Sequence, residues 1–216
     1  RKQKTDQLLY SLPITTSQVV VGKYLALLVV FFIPLCIVSL YPLIFAQFGD
    51  VYLMTSYGSL LAFFIMGAAL IAVGTFISSL TENQGFAAGI AIPVILFNYY
   101  SVSLAEHISA SAMGSVISLC ALAVILGLVI RFLTGNEGLA FSVSLLLIII
   151  IGIAGFVDIS SFEGLLPKIM NRLSLFERFY SFVNGVFDFT SIVYFISVIV
   201  FFLFLSVQSL EKRRYN

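Results

Sequence analysis

The chain has 216 residues, of which 61% are hydrophobic and 10% charged, with a formal net charge of +1 and a mean hydropathy of +1.13. A soluble fold of this size could not bury 22 Phe and 10 Tyr side chains beside so many aliphatic ones without an apolar surface. The composition therefore excludes an ordinary soluble domain, and the near-neutral charge gives no sign of nucleic-acid binding. We expect an all-α, polytopic helical membrane protein.

Chemistry-bearing side chains are few and scattered. Cys36 and Cys120 each lie inside an apolar run, where they are typical of packing residues, and His107 has no cysteine or second histidine near it in sequence. An intramembrane protease or lipid-modifying enzyme would need a nucleophile and a base, or a metal set, at matching depth. We therefore expect no catalytic residue, no metal and no cofactor in this chain.

Residues 1–23 form the one long polar stretch, and a bilayer would reject them. Residues 1–12 are polar at first and then present Leu8, Leu9 and Leu12, which predicts a short helix with one apolar edge, ended by Pro13. Physical chemistry alone leaves two roles open for this segment, a membrane-surface anchor or a contact with a partner protein. The chain starts at Arg1 without a methionine, and we expect its natural N-terminus to lie further upstream.

A second helix is predicted to begin just after Pro13. Thr15 followed three residues later by Gln18 is the pattern of a capping box, and Ile14 and Val19 are placed as a hydrophobic staple. This helix continues through Lys23 into the first membrane span. A phosphate-binding loop is excluded here, because no glycine-rich loop precedes Lys23 and a tyrosine follows it.

Six apolar stretches have roughly the length of a membrane-spanning helix, about 17–25 residues. They are residues 24–48, 57–80, 86–104, 114–133, 139–157 and 191–207. We therefore divide the chain into a cytoplasmic segment with membrane entry, residues 1–23, and a transmembrane domain, residues 24–216. Residues 158–190, between the last two spans, are assigned to the outer side.

The basic residues favour one orientation, because lysine and arginine near span ends are retained in the cytoplasm. With both ends and alternate loops inside, eight of the 11 basic residues fall on the cytoplasmic side, with four of the 10 acidic ones. The eight are Arg1, Lys2, Lys4, Lys23, Arg131, Lys212, Arg213 and Arg214. Both ends of the chain are therefore predicted to be cytoplasmic.

Small residues on the second span predict close helix packing. Ala68, Ala72, Thr75 and Ser79 recur at helical spacing, and Gly67 and Gly74 lie seven residues apart beside them. Prolines predict bends elsewhere, at Pro34, Pro42 and Pro93. Ionisable residues are rare at membrane depth, which argues against an ion-coupled carrier.

The outer segment contains a second amphipathic pattern. Ser174 and Glu177 have capping-box spacing, and Gly185 is placed to end the helix that they begin. The apolar stripe of this helix comprises Phe176, Phe179, Phe182, Val183 and Val186. A plain interfacial helix and a lid over an exit pathway both remain open, and Asp188 is placed to cap the last span.

Three blocks of sequence carry a family resemblance. They are KTDQLLYSLPITTSQVVVGKYLA, GSLLAFFIMGAALIAVGTFISSLTENQ and the stretch from LFERFYSFVNGVFDFT to QSLEKRRY. Together they resemble the membrane permease of bacterial ABC-2-type transporters, and within these the gliding-motility-type permeases. From about Pro93 to Leu166 the similarity extends to hydropathy only.

The resemblance implies a cytoplasmic coupling helix in residues 1–12 that docks on a separate ABC ATP-binding subunit. The contact residues it implies are Lys4, Thr5, Asp6, Gln7, Leu8 and Leu9, with the loop around Glu82 as a second contact. It also implies ATP and Mg²⁺ in that partner subunit, a second permease copy or homologue, and location in the bacterial cytoplasmic membrane. The helix of residues 174–185 would be an outer gate near the exit, and two further membrane helices would precede Arg1.

The function expected from the resemblance is that of a transport subunit, an exporter without enzymatic activity of its own. Two other classes remain open, a secondary carrier and a membrane scaffold that uses the ATPase to act on an envelope partner. Export and scaffolding need the same coupling helix, so sequence does not separate them.

Overall fold

The computed structural model describes residues 15–81, 83–107 and 111–215. Every regular element in these ranges is helical. Five helices in them are long and apolar enough to cross a membrane: Thr16–Phe45, Leu53–Leu80, Gln84–Ala105, Glu137–Val157 and Phe189–Lys212. The chain is therefore an all-helical protein of the membrane class. The predicted span 114–133 lies in a helix whose apolar stretch, Ala112–Leu128, is shorter than those five spans.

We number the helices in chain order. They are α1 Thr16–Val38, α2 Tyr41–Phe45, α3 Leu53–Leu80, α4 Gln84–His107, α5 Ala112–Thr134, α6 Glu137–Val157, α7 Leu165–Leu173, α8 Leu175–Val183 and α9 Phe189–Tyr215, with a 3-10 turn at Ile159–Phe162. The contacts divide them into two compact units. The first contains α1, α2, α3, the start of α4, α8 and α9, and the second is built from residues 98–174.

The start of α1 confirms the predicted capping box. The Gln18 amide donates to the Thr15 hydroxyl oxygen at 3.3 Å, and the Thr15 amide donates to the Gln18 side-chain oxygen at 3.0 Å. These two bonds satisfy amides that a helix start leaves unpaired. Ile14, the other half of the predicted staple, lies outside the described residues.

The first apolar run is broken into two helices. α1 ends at Val38, and α2 begins at Tyr41 with Pro42 in its first turn. Because Pro42 has no amide hydrogen, it cannot continue the hydrogen-bond ladder of α1. At the bend predicted for this region, a short turn at Ser39 and Leu40 separates the two helices of the run. Pro34 is accommodated inside α1.

α3 is the central helix of the first unit, and α9 packs along it in the same direction. Met66 packs with Phe195, the Phe76 and Phe202 rings lie 5.6 Å apart, and the Ser209 hydroxyl donates to the Ser79 carbonyl oxygen at 3.3 Å. These pairs occur in the same order along both helices, so α3 and α9 are parallel.

α1 packs against α3 in the opposite direction. The Tyr24 hydroxyl donates to the Ala68 carbonyl oxygen at 3.2 Å, and at the other end the Tyr57 hydroxyl donates to the Ser39 carbonyl oxygen at 3.1 Å. α1, α3 and α9 together form what we call the three-helix bundle. Its core includes Ala62 and Ala69, whose small side chains let the neighbouring helices approach.

The second unit is built on a helical hairpin of α5 and α6. Gly135, with φ +67°, ends α5, and the Asn136 side-chain oxygen accepts from the Leu139 amide at 3.2 Å to cap α6. A Cβ atom at Gly127 would lie 2.9 Å from the Ser144 Cβ atom. This glycine therefore permits the close approach of α5 and α6.

Candidate functional site

The residues predicted to contact an ATPase fall outside the part of the chain that the structure describes. They are Lys4, Thr5, Asp6, Gln7, Leu8, Leu9 and Glu82. The described residues nearest to them in sequence are Thr15, which caps α1, and Thr81 and Asn83 on either side of Glu82.

The outer segment contains two short helices where the sequence predicted one. α8, Leu175–Val183, corresponds to the prediction, while α7, Leu165–Leu173, was missed. Its signal was present, since Leu166, Ile169, Met170 and Leu173 are spaced for one helical face. Pro167 obscured this pattern, although a proline is tolerated in the first turn of a helix.

α8 is inserted against α3 and α9. Leu175 and Phe182 are buried in the core of the first unit, Phe176 and Phe179 are half-buried at its edge, and Val183 is exposed. Phe182 packs with Ala62, Met66 and Phe195 of the spans.

Specific contacts hold α8 in this position. The Ser59 hydroxyl donates to the Phe182 carbonyl oxygen at 3.1 Å, and the Phe179 ring lies 5.8 Å from that of Phe63 on α3. The Arg178 guanidinium lies 4.1 Å from the centre of the Tyr194 ring on α9, a cation–π contact. α8 therefore does more than rest on the surface with one face in lipid, because it joins α3 to α9.

The predicted end of α8 is confirmed. Gly185 has φ +78°, its amide donates to the Phe182 carbonyl oxygen at 3.0 Å, and the Val186 amide donates to that of Ser181 at 2.9 Å. These two bonds form a Schellman motif, in which the left-handed residue is best a glycine. The chain then turns directly toward α9.

Asp188 caps α9, as its position predicted. Its carboxylate accepts from the Thr190 amide at 2.9 Å and from the Ser191 hydroxyl at 2.6 Å. The Ser191 hydrogen bond is the main cause that lowers the pKa of Asp188 below its ordinary value, with the Thr190 amide adding to it. The carboxylate thus stays ionised at the positive end of the helix.

The two glycines of the predicted packing strip have different surroundings. A Cβ atom at Gly67 would overlap the Phe31 ring of α1, whereas one at Gly74 would meet nothing within 4 Å. Ala68 and Ala72 are buried. α1 therefore approaches α3 closely at Gly67, whereas open space lies beside Gly74, about two turns further along α3.

That open space is a cavity of about 380 Å³, which we call the cleft. α1 contributes Val20, Lys23 and Leu27, at a spacing that places them on one helix face. The remaining lining residues come from α3, α4 and α9 and include Gly74, Thr75, Ser79, Ile95, Ser206 and Leu210. The cleft therefore lies where α1 begins and α3 and α9 end.

The polar groups of the cleft differ in what they can offer a ligand. Thr75, Ser79 and Ser206 each donate their hydroxyl hydrogen to a carbonyl oxygen of their own helix, at 2.7 to 2.8 Å. Their oxygens keep lone pairs that can accept hydrogen bonds. Lys23 contributes the charge, and no carboxylate among the described residues lies within ion-pair distance of it.

Asn98, which lies within the predicted span 86–104, bonds a neighbouring segment. Its side-chain nitrogen donates to the Leu173 carbonyl oxygen at 3.5 Å, and the Ser174 hydroxyl donates to the Asn98 carbonyl oxygen at 3.4 Å. Within the described residues, no group of three His, Cys, Asp or Glu side chains could hold a metal ion.

The fold and the cleft define a helical membrane protein with a helix bundle that is open at one end. Comparison with protein-family models, with curated proteins and with solved structures finds no match to this chain. The function is therefore argued from the chain itself.

Proposed function

We propose that the chain is the membrane-spanning permease subunit of an ATP-driven transporter of the ABC-2 type, and that it works as an exporter. It has no nucleotide site of its own in this proposal, and a separate ABC ATP-binding subunit binds ATP and Mg²⁺. A second permease, identical or homologous, completes the assembly. The complex lies in the bacterial cytoplasmic membrane, with both ends of this chain in the cytoplasm.

One observation carries the proposal, the convergence of three helix ends around the cleft. Val20 near the start of α1, Ser79 near the end of α3 and Leu210 near the end of α9 line the same cavity. The polar residues 1–14 join α1 at its firmly capped start, and this start lies at the same end. A partner that moves this segment would therefore act on all three helices of the bundle.

The contact between α1 and α3 supports such transmission. The Tyr24 hydroxyl group and the Gly67–Phe31 contact tie α1 to the middle of α3. Packed helices move as units, because close-packed interiors do not deform continuously. A shift of α1 would thus carry α3 with it and change the distance from these two helices to α9 across the cleft.

The parallel packing of α3 and α9 supports six membrane crossings in this proposal. Since the two helices run in the same direction, α3 ends and α9 begins on opposite sides of a membrane that both cross. An odd number of crossings must separate them, and α4 and α6 supply two. α5, with 23 residues, is the third, because a helix of that length covers the roughly 30 Å of a bilayer core.

α8 is the outer gate in this proposal. It lies at the end of the bundle opposite the cleft, because it packs on Ala62 and Met66 in the first half of α3. Its contacts with both α3 and α9 mean that a change in the spacing of these helices would pull on it. Phe176, Phe179 and Phe182 are the side chains that would have to leave their contacts for the gate to open.

The test is a gentle detergent purification followed by mass spectrometry of the associated proteins and an ATPase assay. The variant combines Asp6→Arg with Leu9→Asp, which reverses a charge and removes an apolar contact on the opening segment. We expect an ATP-binding protein to accompany the wild-type chain and to be lost with the variant. Asp50→Arg, in the loop between α2 and α3, is the matched control and should keep the partner.

Absence of an ATP-binding protein from every sample would overturn the proposal. The opening segment would then be a membrane-surface anchor, and a secondary carrier would be the better hypothesis. If the ATPase accompanies the chain, substrate flux in the reconstituted complex separates an exporter from a scaffold. A scaffold would hydrolyse ATP without any flux.

A further inference from the structure

The cleft combines an apolar wall with a single kind of charge. Leu27, Leu70 and Ile95 supply apolar surface, and Lys23 supplies the ammonium group. Ionisable side chains on membrane helices are costly, and they usually face a cavity or pair with another polar group. No described carboxylate pairs with Lys23 and its side chain is exposed, so the ammonium group is accessible to a partner from outside the described residues.

The geometry of the cleft restricts what that partner can be. A volume of about 380 Å³ is near the lower end of the range of ligand cavities, about 300–1,000 Å³. Leu27, which lines the cleft, is 48% exposed, so the cleft is open at the surface of the first unit. A ligand can therefore place one part in the cleft and leave the rest in the bilayer.

The hydrogen-bonding groups add a second restriction. The Lys23 ammonium group donates up to three hydrogen bonds, whereas the half-buried Thr75 uses its hydroxyl hydrogen internally and offers an acceptor. Ser79 and Ser206 are buried in the wall. A phosphate group suits the ammonium, and a hydroxyl group next to that phosphate suits the acceptor. An acyl chain suits the apolar wall.

We propose that the cleft binds one anionic phospholipid from the adjacent leaflet, with its phosphate on Lys23 and an acyl chain against Leu27, Leu70 and Ile95. Phosphatidylglycerol has this combination of phosphate, free hydroxyl groups and acyl chains. Basic pockets between membrane helices are known binding sites for such head groups. The lipid fills the space beside Gly74 and ties the start of α1 to the ends of α3 and α9.

A lipid fits better than a soluble anion or a partner protein for two reasons. A free phosphate would bind Lys23 but leave the apolar wall in contact with water. The free energy gained by each methylene group that an acyl chain buries there would then be lost. A protein segment would have to bring a carboxylate to Lys23 and apolar side chains to Leu27, Leu70 and Ile95, at the depth where acyl chains lie. A phospholipid is present at this depth in the bilayer already.

This inference does not depend on the proposed transport function, because it uses the cleft alone. Its test measures bound lipid and its failure leaves the ATPase experiment unaffected. The full chain is reconstituted in nanodiscs of phosphatidylcholine with a minor share of phosphatidylglycerol, released into detergent and examined by native mass spectrometry. We expect one phosphatidylglycerol to remain bound to the wild type, in preference to phosphatidylcholine.

Four variants make the test specific. Lys23→Ala should weaken retention of phosphatidylglycerol about tenfold or more, the value of one charge-assisted hydrogen bond, and Lys23→Arg should keep most of it. Gly74→Leu keeps the charge and places a side chain in the cleft, where a Cβ atom meets nothing within 4 Å, so it should also lose the lipid. Lys212→Ala removes a charge at the same end of the bundle outside the cleft, and should retain the lipid.

Two results would overturn the inference. Equal retention by wild type, Lys23→Ala and Gly74→Leu would mean that the lipid binds elsewhere on the surface. Displacement of the lipid by inorganic phosphate alone would identify the ligand as a soluble anion. Because Lys23 is exposed and Gly74 borders open space, both variants should fold, and size-exclusion chromatography with circular dichroism checks that they do.

Discussion

The hydroxyl group of Tyr24 donates a hydrogen bond to the carbonyl oxygen of Ala68 at 3.2 Å, and both residues are buried. This bond joins α1 to α3 directly beside the cleft, since Lys23 precedes Tyr24 in the chain. It is one of the contacts that would carry a movement of α1 to α3 in the proposed function.

Removing this bond should loosen α1 without unfolding the protein. Tyr24→Phe keeps the ring and removes the donor, so we expect a loss of about 1 kcal/mol in the free energy of unfolding. Tyr57→Phe is the matched control, because Tyr57 makes the same kind of bond between the same helices at an exposed position. Its effect should be smaller. Thermal unfolding in detergent measures both, and equal effects would contradict the role given to Tyr24.

Gly67 and Gly74 should respond differently to the same substitution. Gly67→Ala places a methyl group in the Phe31 ring, and we expect a loss of about 1–3 kcal/mol. Gly74→Ala should be neutral or slightly stabilising, since its Cβ atom has open space and alanine favours the helix. Combining Gly67→Ala with Phe31→Leu should recover part of the loss. A destabilising Gly74→Ala would mean that another helix occupies the cleft.

Phe182 should be the residue that holds α8 in place. Phe182→Ala removes a ring that is only 4% exposed and packed on Ala62, Met66 and Phe195, so we expect a loss of about 3–5 kcal/mol. Hydrogen exchange across residues 175–183 should increase at the same time. Phe189→Ala, at a ring that is 70% exposed, is the control and should change neither quantity. Unchanged exchange in the first variant would mean that α8 is held by other contacts.

The cap of α9 should make stability depend on pH in the acid range. The folded-state pKa of Asp188 is lowered, chiefly by the Ser191 hydroxyl, so its ionised form stabilises the folded state above the ordinary Asp pKa of about 3.9. That stabilisation is lost as pH falls through the lower, folded-state pKa. Asp188→Asn keeps an acceptor but not the charge. It should therefore reduce the dependence of the melting temperature on pH in this range.

Asp158 provides the comparison for this profile. Its pKa is also lowered, first by the Ser160 hydroxyl and then by that of Ser161, so it contributes in the same pH range. Asp158→Asn should remove its own share and leave the contribution of Asp188 in place. If neither variant differs from wild type below pH 5, the two carboxylates do not have the pKa shifts described.

The six crossings of the proposed function would place the loop between α5 and α6 on the same side of the membrane as the end of α9. After Cys36 and Cys120 are replaced by alanine, Glu137→Cys should react with an impermeant thiol reagent from the same side as Lys212→Cys. Asp50→Cys should react from the opposite side. Labelling of Glu137→Cys together with Asp50→Cys would show that α5 does not cross.

Several local features could be predicted from sequence because a few neighbouring residues determine them. The capping box of Thr15 and Gln18, the Schellman end at Gly185 and the cap at Asp188 each involve residues within five positions of one another. Hydropathy summed along the chain likewise located the long apolar helices to within a few residues at most ends. α7 was missed because Pro167 hid a pattern that its helix tolerates.

The candidate site itself could not be predicted in this way. In the sequence, Lys23 bears only on the exclusion of a nucleotide loop and on the orientation of the chain. Its place in a cleft depends on α3, α4 and α9, whose contributing residues lie more than forty positions away.

The sequence by itself thus determined the helical membrane class, the ends of several helices and the polar character of the opening segment. Tertiary structure decided that α3 and α9 run parallel, that Phe182 of α8 enters the core, and that Gly67 packs while Gly74 borders open space. The physical reason is that lipid tails and apolar side chains are nearly equivalent surroundings for a span. Hydropathy therefore marks which segments enter the membrane, and only the shapes of facing helices select which of them meet.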